Sequence, residues 1–408
     1  MKENNHKQGP KQPMLFNRME FAGSLGDLGT LLPITLGMVL VNGMSAVGTF
    51  FTIGLFYIIA GLYFRVPIAV QPMKAIGAYA IGTAMTAQQV SGATLLVSLF
   101  LFIIGITGTI SWIGRMIPKA VIRGVQLSTG ILLMNQGLML TLGLSKAQQT
   151  AGLHEPFFTV QQIGMVPIWT GIGITGLLLT LLLLNNKKLP AAIAVVGFGI
   201  LCGILLGDHD SFSTFSPGFF TPELFPVGLP ASTDLTIALF VLVLPQIPMT
   251  VGNAAVAGTD LSREYFGDEA ERVTYRSMTL SMAFGSALGF LLGSIPLCHG
   301  AGGLAAHYRF GARTGGSNLI IGTMFILMAI FFGSHTISLL QLLPFSILGV
   351  LLLFSGAQLG LTVLDMMNRQ HMFVILVMLT ITLTINLAAA FLCGLVLAAL
   401  LRSPRFQI

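Results

Sequence analysis

The chain has 408 residues, 54% of them apolar and only 8% charged, with 48 glycines and a formal net charge of +6. Soluble domains carry about 25% charged residues, so a chain this poor in charge cannot present a solvated surface all round and has to be solvated largely by lipid. Its cations are spread over short segments rather than clustered, which excludes nucleic acid as a partner despite the positive balance.

Residues 1–14 are polar, and Met1 to Pro13 are rich in Lys, Gln and Pro. With no apolar stretch leading to a cleavage site, they are expected to form a disordered cytoplasmic tail rather than a signal peptide. Residues 15–207 then hold seven spans of roughly membrane-crossing length, at 21–41, 45–64, 67–87, 91–114, 118–141, 163–184 and 189–207. An extracytoplasmic loop is expected at 208–233, which has no Lys or Arg but contains Asp208, Asp210 and Glu223. Residues 234–402 hold seven more spans, at 234–258, 274–294, 296–311, 318–341, 344–363, 371–386 and 388–402, and 403–408 form a second cytoplasmic tail. The third and tenth spans are poor ones, rich in Gly, Pro and polar residues.

Loop charge tests this count. With the N-terminus inside, all of the 20 Lys and Arg except Lys74 and Lys146 fall on the inner side. That asymmetry is the positive-inside rule, and it predicts a multi-pass plasma-membrane protein with both termini cytoplasmic.

Cys202, Cys298 and Cys393 all lie in apolar segments with no C-x-x-C pair, so neither a disulfide framework nor a metal or other cofactor is expected. No zinc-ligand pair, nucleophile elbow or carboxylate pair occurs in the spans, which argues against an enzyme.

The chain also repeats itself. Pro67–Gly82 (PIAVQPMKAIGAYAIG) matches Pro296–Gly311 (PLCHGAGGLAAHYRFG) in length and ends, with Tyr79 and Tyr308 at the same place; Pro118–Gly130 matches Pro344–Gly356. A seven-span unit is odd, so the second copy must be inverted, a recurrent transporter design. The fold expected is an all-α integral membrane protein of about fourteen helices in two inverted seven-helix repeats, with the third and tenth helices interrupted.

The interruptions carry the chemistry. Gln71-Pro72-Met73-Lys74 breaks the third span and His299-Gly300-Ala301-Gly302-Gly303 the tenth. Proline breaks a helix ladder, bare glycine backbone admits a ligand closely, and irregular backbone at membrane depth belongs where it is buried or lines a wet cavity. Helix N-termini restarting after the breaks offer free N–H groups and partial positive charge, so two facing ends suit a compact oxyanion. Lys74 is a cation at membrane depth that needs a reason: contact with the anion, or a partner such as Asp27, which Gly26 and Gly29 flank. Asp27 is either a proton-coupling carboxylate or a structural one. Gln246, Thr250 and Asn253 share one helix face in the eighth span, as a cavity wall or as interhelical glue. Arg309 and Arg313 close the tenth span as inner-face gate or anchor residues.

Gly23–Pro33 (GSLGDLGTLLP), Val70–Ala75 (VQPMKA) and Pro296–Gly315 (PLCHGAGGLAAHYRFGARTG) resemble the signature segments of the molybdate transporter family, a branch of the sulfate permease superfamily. The resemblance covers essentially the whole chain. It implies core and gate subdomains, with substrate between the third and tenth helices and the first and eighth adding side chains. It also implies a homodimer. By position, Gln71 to Lys74, Gly300 to Gly303, Asp27 and Gln246 would surround the site. The larger sulfate permeases end in a soluble regulatory domain, which is not expected after Ile408. The function implied is secondary active import of molybdate, with tungstate or sulfate as further substrates, by alternating access; because a divalent anion has to enter a negative interior, proton symport is expected as its energy source. Membrane lipid and the oxyanion are the expected partners. A sulfate, bicarbonate or nucleobase carrier of the same fold is the alternative, and an anion channel a more distant one.

Overall fold

The computed structural model describes residues 13–151, 155, 158–163, 166–184, 186, 191–207, 218–333, 335, 342–366 and 368–402. Residues 1–12 and 403–408 of the expected tails, 208–217 of the expected loop, and Lys187 and Lys188 lie outside these residues.

The described chain is almost entirely helical. Helix α1 (Arg18–Ser24) starts at Asn17, whose side chain accepts the Met19 and Glu20 N–H groups. A break at Leu25–Asp27 bends the path by 41° into α2 (Leu28–Leu40). Helix α3 (Ala46–Phe64) stops where Arg65 turns left-handed, with φ 65°.

The third span then departs from helix altogether. Strand β1 (Gln71–Pro72) leads into α4 (Lys74–Thr83), which is about half the length of a membrane crossing. Helices α5 (Ala87–Thr107), α6 (Ile110–Met116), α7 (Lys119–Thr141) and α8 (Lys146–Ala151) follow. A short hairpin of β2 (Gln162–Ile163) and β3 (Val166–Pro167) precedes α9 (Ile168–Leu183) and α10 (Ala191–Leu206).

The next helix, α11, runs from Ser232 to Ala270. Its Ala238–Val243 and Met249–Val256 stretches are wound as π-helix on either side of Pro245 and Pro248. Proline supplies no N–H to the ladder, and the wider register re-pairs the carbonyls it frees. After α12 (Tyr275–Leu291) come β4 (Leu297–Cys298) and the second short helix, α13 (Ala301–Arg309). The chain closes with α14 (Gly316–Phe332), α15 (Phe345–Gly360), α16 (Arg369–Thr384) and α17 (Leu387–Leu400).

Among the described residues, four helices are long and apolar enough to cross a membrane singly, five if α1 and α2 form one bent span; further apolar helices of 10–17 residues accompany them. Large side chains such as Leu182, Leu205, Leu383 and Val396 stay more than half exposed. So wide an apolar exterior fits lipid rather than water.

Glycine sets the closest approaches. Helix α3 meets α14 where an added Cβ at Gly54 would come 2.6 Å from the Gly322 carbonyl oxygen, and one at Gly322 2.7 Å from that of Gly54. Helices α7 and α15 cross in the same reciprocal way at Gly130 and Gly356. Backbone-to-backbone contact through small residues is how helices associate where lipid removes the hydrophobic drive.

In the connector between α7 and α9, Glu155 is buried and accepts the N–H groups of Phe345 at 2.7 Å and Ser346 at 2.9 Å. It thereby caps α15, whose own N-cap residue, Pro344, makes no side-chain cap bond. Burial outweighs these donors and pushes the Glu155 carboxyl up to about 7.

Candidate anion site

The two interrupted spans meet. Strands β1 and β4 pair antiparallel, Gln71 opposite Cys298 and Pro72 opposite Leu297, and the Met73 N–H donates to Pro296 at 3.0 Å. The short helices α4 and α13 each begin within a few residues of this ladder. A cavity of about 420 Å³ lies against them, lined by Asp27, Lys74, Gln126, Asn253, Gly302 and Arg309 among others.

The two N-termini differ. On α13 the N-cap is Gly300, with no side chain to satisfy the first N–H groups. Gly302 is exposed through the cavity although it lies within the bundle, and a Cβ there would meet nothing within 4 Å. Gly302, Ala305, Ala306 and Arg309 all line the cavity, so a smooth small-residue face of α13 runs from its N-terminus to an arginine two turns on. On α4, by contrast, Gln246 Oε1 accepts the N–H groups of Ala75 at 3.0 Å and Ile76 at 3.3 Å. Its Nε2 donates to Thr250 at 2.9 Å. Gln246, held by Thr250, thus caps the helix from α11, while Asn253, one turn on, reaches the cavity and accepts from Gln126 Nε2 at 3.5 Å.

Asp27 is buried, and both its oxygens accept from Gln71 Nε2 at 2.7 Å. It also feels the Lys74 charge. Gly303 and Gly300 make room for this pair: a Cβ at Gly303 would lie 2.6 Å from Gln71 Nε2, and one at Gly300 2.6 Å from Gln71 Cδ.

Other expected site residues are engaged elsewhere. His299 is buried with Nδ1 2.9 Å from the Ala69 carbonyl oxygen and Nε2 3.0 Å from Ser281 Oγ. Both ring nitrogens are therefore taken up in packing between spans. Pro72 is buried in the strand pair and Met73 at the N-cap of α4, and Ala301 is half-buried at the start of α13. Arg313 stacks 3.8 Å from the centre of the Tyr308 ring and donates to the Tyr308 and Ala312 carbonyls, an anchoring role away from the cavity. Arg309 alone of the two arginines lines it.

The structure adds residues that sequence reasoning passed over. Gln126 on α7 lines the cavity, as do Ser355 and Gln358 on α15. Gln126 also accepts from Arg123 at 2.7 Å and from Thr362 at 3.1 Å. Arg123 in turn is ion-paired with Asp365 and holds its carboxyl below the usual range. A polar residue among Ser128 and Thr129 in an apolar span was the signal available for Gln126. Glu20 accepts the Arg313 N–H at 3.0 Å and the Thr314 N–H at 2.9 Å, tying α1 to the segment after α13.

A family profile described as molybdate transporter of the MFS superfamily matches residues 19–133 and 238–359. This chain belongs to the molybdate transporter family. Molybdate transporter 2 of Arabidopsis thaliana is 31% identical over 423 residues, covering 94% of this chain and 87% of that protein. The family's matched stretches contain Asp27, Gln71, Lys74, Gln126, Gln246, Asn253 and Gly302. In fold the chain is similar to the transmembrane domain of a cyanobacterial bicarbonate transporter, BicA, with a TM-score of 0.65 and 15% identity over 94% of this chain and 98% of that one. It is also similar to murine Slc26a9, an anion transporter, with a TM-score of 0.68 and 11% identity over 97% and 70% of the two chains.

Proposed function

We propose that this membrane anion transporter imports molybdate by alternating access, holding the oxyanion between the N-termini of α4 and α13. The observation that carries the reading is the exposed, uncapped start of α13 at Gly302, facing a cavity that also holds Lys74. Free backbone donors and a cation answer the needs of a tetrahedral dianion. Gln246 Oε1 occupies the α4 amides in the manner an oxyanion oxygen would. On this reading the anion displaces Gln246 Oε1, which the bond from its Nε2 to Thr250 helps to hold on the α4 amides. Gln71, Gly300, Ala301 and Gly303 shape the floor, and Asn253 and Gln126 form the wall.

The family and the antiparallel pairing of β1 with β4 ahead of the two half-helices support two inverted seven-helix repeats, as do the reciprocal Gly54–Gly322 and Gly130–Gly356 contacts, since a two-fold relation exchanges such partners. The helices around α4 and α13 would form the core, and those around α7 and α15 the gate. The proposed orientation places both termini in the cytoplasm of a plasma-membrane protein assembled as a homodimer. The cavity would then open to the cytoplasm at its Arg309 end. A divalent anion entering a negative interior needs a driving ion, and the proposal is proton symport through Asp27. Uptake should then quicken at acid outer pH and collapse with a protonophore.

Titrating molybdate, tungstate and sulfate in parallel into purified protein tests the assignment. Molybdate should bind most tightly; tighter binding of sulfate would instead favour the sulfate or bicarbonate carrier reading.

A further inference from the structure

A second cavity, of about 550 Å³, opens at the other end of α7, α16 and α17 from the Glu155 connector. Its polar lining comes from Lys119 at the start of α7, Gln370 and His371 on α16, and Arg402 just past α17. Val374, Ala398 and Leu401 form an apolar wall. No Asp or Glu lines it among the described residues. Asp365, which feels the Lys119 charge, is already ion-paired with Arg123. Next to this basic mouth, Leu392, Val396 and Leu400 make an exposed apolar stripe at four-residue spacing along α17.

We propose that this cavity binds the headgroup phosphate of an anionic phospholipid, with its acyl chains laid along the Leu392–Val396–Leu400 stripe. A basic mouth with an apolar wall, set between spanning helices at the cation-rich end of the bundle, matches an amphiphile with an anionic head. A soluble anion would leave the apolar wall unused, and a zwitterionic lipid would leave the cations uncompensated. Lys119 stands two turns before Gln126 on α7. A lipid held by Lys119 and Arg402 therefore joins the start of a cavity-lining helix to the end of the last helix and braces the two.

The test uses the full chain purified in neutral detergent. Native mass spectrometry counts retained phosphatidylglycerol against phosphatidylcholine, and thermal melting follows each addition. Wild type is expected to retain phosphatidylglycerol preferentially and to melt higher with it. K119Q/R402Q is expected to bind it about 30-fold more weakly, from two cations acting near an anionic surface. R369Q removes a charge from the same helical region outside the cavity and is expected to behave as wild type. Equal retention of the two lipids by wild type overturns the proposal. So does equal loss in R369Q, which would mark a diffuse charge effect. Stabilisation by inorganic phosphate matching that by phosphatidylglycerol overturns the lipid assignment, and this arm needs no variant.

Discussion

Gln246 Oε1 lies 3.0 Å from the Ala75 amide nitrogen and accepts its proton, closing the N-terminus of α4 with a side chain from α11. The equivalent end of α13 has no such cap. One helix end is open and the other is closed by the protein itself.

If Gln246 yields to the anion, removing it should help binding rather than hurt it. Q246A is expected to bind molybdate at least as tightly as wild type in calorimetry. Q246E leaves a carboxylate on the helix end and should weaken binding about 10-fold, since a charge at a helix N-terminus is worth up to about 2 kcal/mol. T250V frees the Gln246 amide and should move affinity in the same direction as Q246A. Weaker binding in both Q246A and T250V would make Gln246 a direct ligand instead.

Lys74 faces the cavity and acts on Asp27. K74M should reduce molybdate affinity by about 10- to 100-fold, as loss of one charge-assisted contact costs about 1.5–3 kcal/mol. Unchanged affinity would remove Lys74 from the binding shell and leave it as the partner of Asp27 alone.

Two neighbouring glycines should separate binding from folding. A methyl at Gly302 meets nothing within 4 Å, so G302A should fold normally yet crowd the open amides and weaken anion binding. A methyl at Gly303 would press on Ala69 Cβ and Gln71 Nε2, each at 2.6 Å, and G303A should lose about 1–3 kcal/mol of stability. Melting curves beside molybdate titrations distinguish the two.

Glu155 predicts a pH dependence of stability. Its carboxyl is raised from an ordinary 4.5 to about 7, so the folded protein binds this proton more tightly than the unfolded chain. The contribution is complete below about pH 4.5 and is lost as pH rises through about 7. Wild-type melting should decline over that window, and E155Q, which keeps an acceptor but cannot ionise, should flatten the decline. E155A removes both acceptors from α15 and should cost about 1–2 kcal/mol throughout. A wild-type melting temperature that does not change across the window would rule out a Glu155 contribution.

The breaks at Gln71–Lys74 and His299–Gly303 were legible in sequence because Pro, Gly and charge are conspicuous against apolar spans. The polar face of Gln246, Thr250 and Asn253 was legible for the same reason. What Gln246 touches was not, because its partners, Ala75 and Ile76, are 171 and 170 residues away and are backbone groups that any residue would supply. Glu155 was hidden likewise: its acceptor role depends on amides 190 and 191 residues distant. The packing of His299 was hidden in the same way. Its true partners, the Ala69 carbonyl and Ser281, leave no mark on the local sequence.

The ladder of Gln71 with Cys298 and Pro72 with Leu297 acts as a yoke between the two half-helices. Their starting points cannot drift apart without tearing main-chain hydrogen bonds, so the gauge of the gap is written in backbone rather than in side chains. Discrimination between oxyanions that differ chiefly in radius would then tolerate extensive change in the surrounding side chains, provided the yoke stays intact.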